Sequence, residues 1–495
     1  MWLNWWEDQK PDGPMKTLNF LTQVTPLTFD PVKSFDVVTR NIIANLFEGL
    51  LVPDPQTLEV RPGIASTWEV VEPNRVFRFH LRTNTRFSDG EPVLVDDVVY
   101  SLQRIPQFEG VDIWVTEDAP RWIRIELNQV MHNFLDYLAT PTFSIVSKQN
   151  AERHGFERDT LVTSGPFLLK ESSEFDPAHP SLVRLEKNPY YWDAENVKLD
   201  AVTYVPVMDA DERLRLFKTR FSPNGQRLYY FLNHAPVLRY EELKCDPELQ
   251  PMPVLATIVL TPNQRIAPLQ DVRVRRALSL AIDRQKGIDR AVPHLQPAEG
   301  LVPSTILKYP KVRGMIRENE QEARALLREA GFPEGAGVPE LTLTYFDHEY
   351  MERLVNSYIE DWARVLGISV RGVRLSWGEY LQRLDAGEYD LLYETWHTDI
   401  ADPGSFLIPL STDHPFNTAN FSQADYDDLL EQSLQEEDEG KRMELCVQAE
   451  RIALQEMATI PLMYESHFCM VDSGVKGAVL NQAAILPLKY VEILP

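Results

Sequence analysis

Apolar positions in the second half of the chain switch between the period of a helix and the period of a strand. Asp271 can cap a helix whose apolar stripe is Val274, Ala277, Leu278, Ala281 and Ile282, the i, i+3, i+4, i+7, i+8 spacing of one face. The stretch 322–330 repeats the theme with Ala323, Leu326, Leu327 and Ala330, and ends at Gly331 with Pro333 just beyond. Residues 341–346 alternate as a strand. A long helix follows, striped by Leu354, Tyr358, Trp362 and Leu366 and stopped by Gly367. A strand over 368–375, a short helix ending at Gly387 and a third strand over 389–393 complete the run. A late helix carries Leu445, Ala449, Ile452, Ala453 and Met457. Strand, helix, strand, helix, strand at these lengths predicts right-handed βαβ units and a mostly parallel sheet.

The first half is less regular. It predicts a strand over 18–22, a helix from Val37 to Leu46 closed by Gly49, and a helix over 96–102. Trp68-Glu69-Val70, a Pro73-Asn74 turn and the alternating run 76–81 predict a hairpin, and Phe87-Ser88-Asp89-Gly90 a further turn. The chain therefore reads as a mixed α/β region before about residue 257 and a doubly wound α/β region after it. In doubly wound sheets ligands bind beyond the carboxyl ends of strands, where chain order reverses. That directs attention to residues 394–403, which follow the third strand.

Composition narrows the function. At roughly 150 residues per domain, 495 residues make two or three domains, and 44% apolar with 25% charged residues is ordinary for a globular chain. The 49 Lys+Arg against 74 Asp+Glu leave a net charge of −25, which argues against nucleic acid and against an anionic membrane face as partner. Cys245, Cys446 and Cys469 permit at most one internal disulfide and form no C-x-x-C pair. No apolar run approaches the ~18 residues of a membrane span. The opening Met1-Trp2-Leu3-Asn4-Trp5-Trp6 lacks a basic n-region and an apolar h-region, so no signal peptide is visible.

Catalytic signatures are missing. His348-Glu349-Tyr350-Met351-Glu352 lacks the second histidine of a zinc-protease helix. Gly335 and Gly337 run into Pro339 rather than a nucleotide-binding helix, and neither a P-loop nor a G-x-S-x-G elbow occurs. The acidic run at 436–439 reads as a charged helix start. His397, Asp399 and Asp402, without a cysteine or a second nearby histidine, make a weak metal set. No metal, no cofactor and no enzymatic reaction are expected.

Several blocks stand out along the chain as a series. They are Phe29-Asp30-Pro31 with Asn45-Leu46-Phe47-Glu48-Gly49-Leu50, Arg61-Pro62-Gly63-Ile64-Ala65, Phe77-Arg78-Phe79-His80-Leu81-Arg82 and Phe87-Ser88-Asp89-Gly90. Ser164-Gly165-Pro166-Phe167, Glu186-Lys187-Asn188-Pro189-Tyr190-Tyr191-Trp192, Asp271-Val272-Arg273-Val274-Arg275-Arg276-Ala277-Leu278 and Ala325-Leu326-Leu327-Arg328-Glu329-Ala330-Gly331 continue the series. Together these blocks resemble the family 5 solute-binding proteins, the dipeptide/oligopeptide-binding components of ABC importers; they occur in that family's order and span nearly the whole chain.

The resemblance implies an α/β, two-lobed fold of the periplasmic-binding-protein type II (cluster C) kind, with an extra subdomain in the first lobe. Residues 1–256 and 472–495 would form lobe I, with the inserted subdomain at about 50–163, and 257–471 lobe II. Ligand would be enclosed as the lobes hinge shut. The pattern Trp396-x-x-Asp399-x-x-Asp402-Pro403-x-Ser405-Phe406 is similar to the loop in which peptide binders set an aspartate against the ligand's α-ammonium. Such an ammonium needs a fixed carboxylate, because burying either charge alone costs several kcal/mol. Trp396 offers a flat apolar wall and a cation–π surface. His397, Thr398 and Tyr393 join these as candidate contacts, and Phe35 and Val37 would line the cleft.

The residues alone leave other roles open. Asp399 can cap a turn, Trp396 can be core, and 35–37 can be a helix entry with a buried valine. Glu48 reads as a helix-end hydrogen-bonding residue, Trp377 and Tyr380 as packing residues, and Asp402-Pro403 as a turn former. The chain departs from the family in carrying Tyr393 where some oligopeptide binders have an arginine, in a short 104–114 stretch, and in Thr219 to Gly225. The resemblance implies a monomer outside the cytoplasmic membrane, periplasmic or at the cell surface, that delivers a small peptide or peptide-like solute to an ABC permease and its ATPase. A ligand-sensing regulator of the same fold, or a binder of a nickel complex, haem, an opine or an oligosaccharide, is the alternative. No basic helix-turn-helix is evident before Leu18 to favour the regulator.

Overall fold

The computed structural model describes residues 15–34, 36–105, 107–108, 111–170, 182–222, 225–306, 308–347, 350–398 and 400–494. The opening residues read for a signal peptide, together with Phe35, His348, Glu349 and Asp399, lie outside the described residues. The chain divides into two compact units. Unit 1 holds the residues up to Pro236, Leu243–Met252 and those from His467 onward; unit 2 holds Val237–Glu242 and Pro253–Ser466.

In unit 1 the strand β1 (Thr17–Thr22) is buried along nearly its whole length, as a strand covered on both faces must be. Helix α1 (Val37–Leu46) starts where the Asp36 carboxylate accepts the Thr39 amide at 2.8 Å. It ends at Leu46, with Phe47 extended, so Gly49 is not its stop. Glycine is needed there for a different reason: a Cβ would lie 2.8 Å from the Leu138 carbonyl oxygen and 2.9 Å from that of Leu51. The predicted hairpin forms as β2 (Ala65–Glu72) and β3 (Val76–Leu81), with Asn74 left-handed at φ 55° in the turn. Antiparallel pairing with β4 (Val111–Ala119) and β5 (Trp122–Leu127) extends it into a separate sheet. Phe77, Phe79, Ile123, Ile125 and Phe134 form that sheet's own core. The main sheet of the unit sets β1 parallel to β7 (Ala201–Pro206) and β8 (Tyr229–Leu232), while β6 (Val183–Lys187) runs antiparallel to β7.

The strand β9 (Leu249–Pro262) carries the chain into unit 2. There α2 (Val272–Ala281) is capped by Asp271 as expected, its carboxylate accepting the Arg273 amide at 2.8 Å. Helix α3 (Glu320–Glu329) follows. Then β10 (Leu341–Phe346), α4 (Met351–Leu366), β11 (Val370–Leu375), α5 (Trp377–Ala386) and β12 (Leu391–His397) form the predicted alternation. β10 pairs in parallel with both β11 and β12. β9 pairs with β12 antiparallel, so the sheet is mixed rather than purely parallel, because β9 arrives from the other unit and not through a βαβ crossover. Helix α6 (Glu439–Gln455) precedes β13 (Ile460–Val471), which returns the chain to unit 1. Apart from the short Val237–Glu242 excursion, the units change at 252/253 and 466/467, inside β9 and β13, where 256/257 and 471/472 were expected.

Candidate functional site

The third predicted strand is displaced and longer than its apolar run suggested. β12 begins at Leu391 and extends to His397, because β9 supplies ladder partners as far as Ala256. Trp396 and His397 are therefore strand residues and not part of a loop. Alternation then sorts the candidates by face. Leu391 and Tyr393 enter the main core of unit 2, whereas Leu392 packs with Tyr380 and Tyr389 on the other side. Glu394 and Trp396 share that second face by their even positions.

Tyr393 is wholly buried in the core, where burial drives its phenol well above the ordinary range. Its side chain sits in that core, on the face of β12 away from Trp396. Trp396 is half-buried opposite Thr257, and His397 is exposed opposite Ala256. Thr398 donates its amide to the Leu255 carbonyl at 3.0 Å, and its hydroxyl accepts the Ile400 amide at 3.3 Å. That hydroxyl bond turns the chain just past the strand end. Val37 is the half-buried first residue of α1, in unit 1.

Asp402 is more than a turn former. It accepts the Gly404 amide at 2.8 Å and holds the Arg442 guanidinium of α6 at 2.8 and 2.7 Å through its two oxygens. Both residues are buried. Asp402 is thus engaged by a cation rather than offered to a metal. Among the described residues no group of three His, Cys, Asp or Glu could hold a metal ion.

Glu394 was not singled out in the sequence, although its i, i+2 relation to Trp396 on an alternating strand is a readable signal. It is half-buried, and Thr418 donates its hydroxyl to Oε2 at 2.9 Å. Burial raises its pKa above the ordinary 4.5, and the Thr261, Thr418 and Trp396 side chains beside it oppose that rise only in part. Nearby, the Tyr380 hydroxyl donates to the Tyr393 carbonyl at 3.2 Å. Trp377 stacks on Tyr380 at 5.7 Å and 13°. Tyr380 is buried as a packing residue should be, but Trp377 is 57% exposed and presents a ring to solvent.

Glu48 takes the hydrogen-bonding role expected of it. It is buried, accepts the Tyr191 hydroxyl, and accepts the Trp192 indole N–H at 2.8 Å. Burial nonetheless pushes its carboxyl above the ordinary value. Two of the resembling blocks, Phe47-Glu48-Gly49 and Asn188 to Trp192, meet through it.

The described residues thus form two α/β units joined by β9 and β13, the strands in which the chain passes from one unit to the other and back. The family model described as bacterial extracellular solute-binding proteins, family 5 (middle), matches residues 59–418, and the chain belongs to that family. It is 27% identical over 487 residues to the periplasmic oligopeptide-binding protein OppA of Salmonella typhimurium, covering 91% of this chain and 87% of that protein. It is also 27% identical over 505 residues to the probable deoxycholate-binding periplasmic protein YgiS of Escherichia coli, covering 95% and 92%. The solved Escherichia coli murein tripeptide binding protein MppA superposes with a TM-score of 0.81 at 24% identity, over 98% of this chain and 99% of that one. The fold is therefore that of the OppA/MppA periplasmic binding proteins.

Proposed function

We propose that this solute-binding protein captures a peptide or peptide-like amine outside the cytoplasmic membrane and hands it, as a monomer, to an ABC import permease and its ATPase. The observation that carries the reading is Trp396, half-buried at the end of β12 and three residues before Asp399 in the pattern that peptide binders use for the α-ammonium. The names of the relatives support it, since OppA and MppA are described as oligopeptide- and murein tripeptide-binding. Asp399 supplies the charge that a desolvated ammonium needs, and Trp396 the apolar surface beside it.

Calorimetry of short peptides against the parent and Asp399→Ala tests this. Loss of one partner of a buried pair costs about 3 kcal/mol, so affinity should fall roughly a hundredfold. Equal affinity in parent and variant overturns the amine clamp. The likeness to a deoxycholate-binding protein favours one other reading, an amphipathic non-peptide solute. Heat with deoxycholate and none with any peptide would establish that reading instead.

A further inference from the structure

Among the described residues no cation pairs with the Glu394 carboxyl. The side chains that favour its ionised form, Thr261 on β9, Thr418 and Trp396, are all neutral. The titratable groups that feel it are two phenols, Tyr380 on α5 and Tyr389 just before β12, both pushed upward, the latter to about 12. Arg265 acts on Tyr389 and does not figure among the influences on Glu394. Two other buried acids of unit 2 are matched by cations, whereas Glu450 is matched by the Leu301 and Val302 amides and the Tyr309 hydroxyl. Asp402 holds Arg442 at 2.7 Å and Asp361 holds Lys286 at 2.7 Å. Glu394 is thus a half-buried glutamate on the same strand face as a candidate ligand-binding indole, set among hydroxyls and rings.

The geometry points to Glu394 as the counter-charge for a second cationic group of the solute, making the substrate class a peptide or peptide-like amine with a basic side chain. This rests on the peptide reading of the same strand end. Residues i and i+2 of a strand stand about 6.8 Å apart on one face, so a lysine or arginine side chain that passes over the Trp396 ring comes within reach of the Glu394 carboxyl. The indole face favours the same cation. Between them they replace the water that a charged side chain gives up on entering, which an apolar pocket alone does not. The neutral hydroxyls around the carboxyl orient it without competing for it. An uncharged side chain gains none of this.

The test is calorimetry with trialanine and the three tripeptides in which one alanine is replaced by lysine. One lysine peptide should bind the parent about tenfold or more tighter than trialanine, as a charge-assisted hydrogen bond allows. That ratio should collapse toward one in Glu394→Gln. A second reading needs no variant: in buffers of different ionisation enthalpy, the favoured lysine peptide should release more protons from the parent than trialanine does, because the cation drives the carboxyl to ionise. This proton count decides the matter if Glu394→Gln fails to fold by circular dichroism. Peptides that all bind alike, a lysine preference that survives Glu394→Gln, or equal proton release overturns the inference and leaves the peptide reading standing. No heat with any of the four overturns that reading, and this inference with it.

Discussion

Glu450, on the inner face of α6, is 1% exposed and commits both carboxyl oxygens. Oε1 accepts the Leu301 and Val302 amides at 2.7 and 3.1 Å, and Oε2 accepts the Tyr309 hydroxyl at 2.8 Å. Burial raises its pKa despite these donors. Glu450→Ala should therefore cost about 2 to 4 kcal/mol, by stranding two buried amides. Glu450→Gln keeps an acceptor, sheds the buried charge, and should stay within about 1 kcal/mol of the parent. Urea denaturation midpoints check both, and equal losses in the two variants would contradict the account. Nothing near Glu450 in the sequence announces this role. Its partners are 148 and 149 residues away, whereas the Asp271 cap was legible because its partner lies two residues on. The Arg442–Asp402 pair stayed hidden for the same reason, at a separation of 40 residues. The burial of Tyr393 was hidden too, because an apolar strand does not say which of its faces meets the core.

At the scale of elements, helix ends show the same contrast between local and distant causes. Gly367 and Gly387 close α4 and α5 in the left-handed conformation, at φ 68° and 67°, and both stops were readable from the end of an apolar stripe. Their surroundings differ. A Cβ at Gly387 meets nothing within 4 Å, while one at Gly367 would run into the Glu334 carbonyl oxygen. Gly387→Ala should then cost about 1 kcal/mol, the strain of a left-handed alanine alone. Gly367→Ala should cost at least about 2 kcal/mol more, since backbone must also move. Thermal or urea unfolding of the pair distinguishes them, and equal losses would show that the 334–335 turn yields freely. The length of β12 was not legible, because its polar last residues are strand only through ladder partners on β9, far back in the sequence.

For the molecule as a whole, two sets of carboxyls pull stability in opposite directions with pH. Burial raises Glu48, Asp97, Glu318, Glu394 and Glu450. Each binds its proton more tightly folded than unfolded, so its contribution is complete below the ordinary carboxylate range and is lost as pH climbs through the raised value. Asp361, Asp246 and Glu248 are also partly desolvated, but bonds from Lys286, Lys218 and Arg220 outweigh that and lower them. Their contribution is present above the ordinary range and lost as pH falls below it. The net charge of −25 adds self-repulsion that grows with pH. The melting temperature should consequently be higher at about pH 5.5 than at about pH 8, and should drop again below about pH 4. Calorimetric scans across that range test it, and a monotonic rise to pH 8 would contradict it.

The grip of α1 on the far end of the chain has a consequence for synthesis. Asn45 donates to the Leu486 carbonyl at 2.9 Å and accepts the Leu488 amide at 2.9 Å, across 441 and 443 residues. A ribosome exposes this helix early and its clasp only after the whole of the other unit has emerged. Pro253–Ser466, an unbroken stretch, can mature while the earlier-made half still waits with Asn45 unmatched. Birth order and assembly order therefore run opposite ways, and the interval between them is when a chaperone has something to hold.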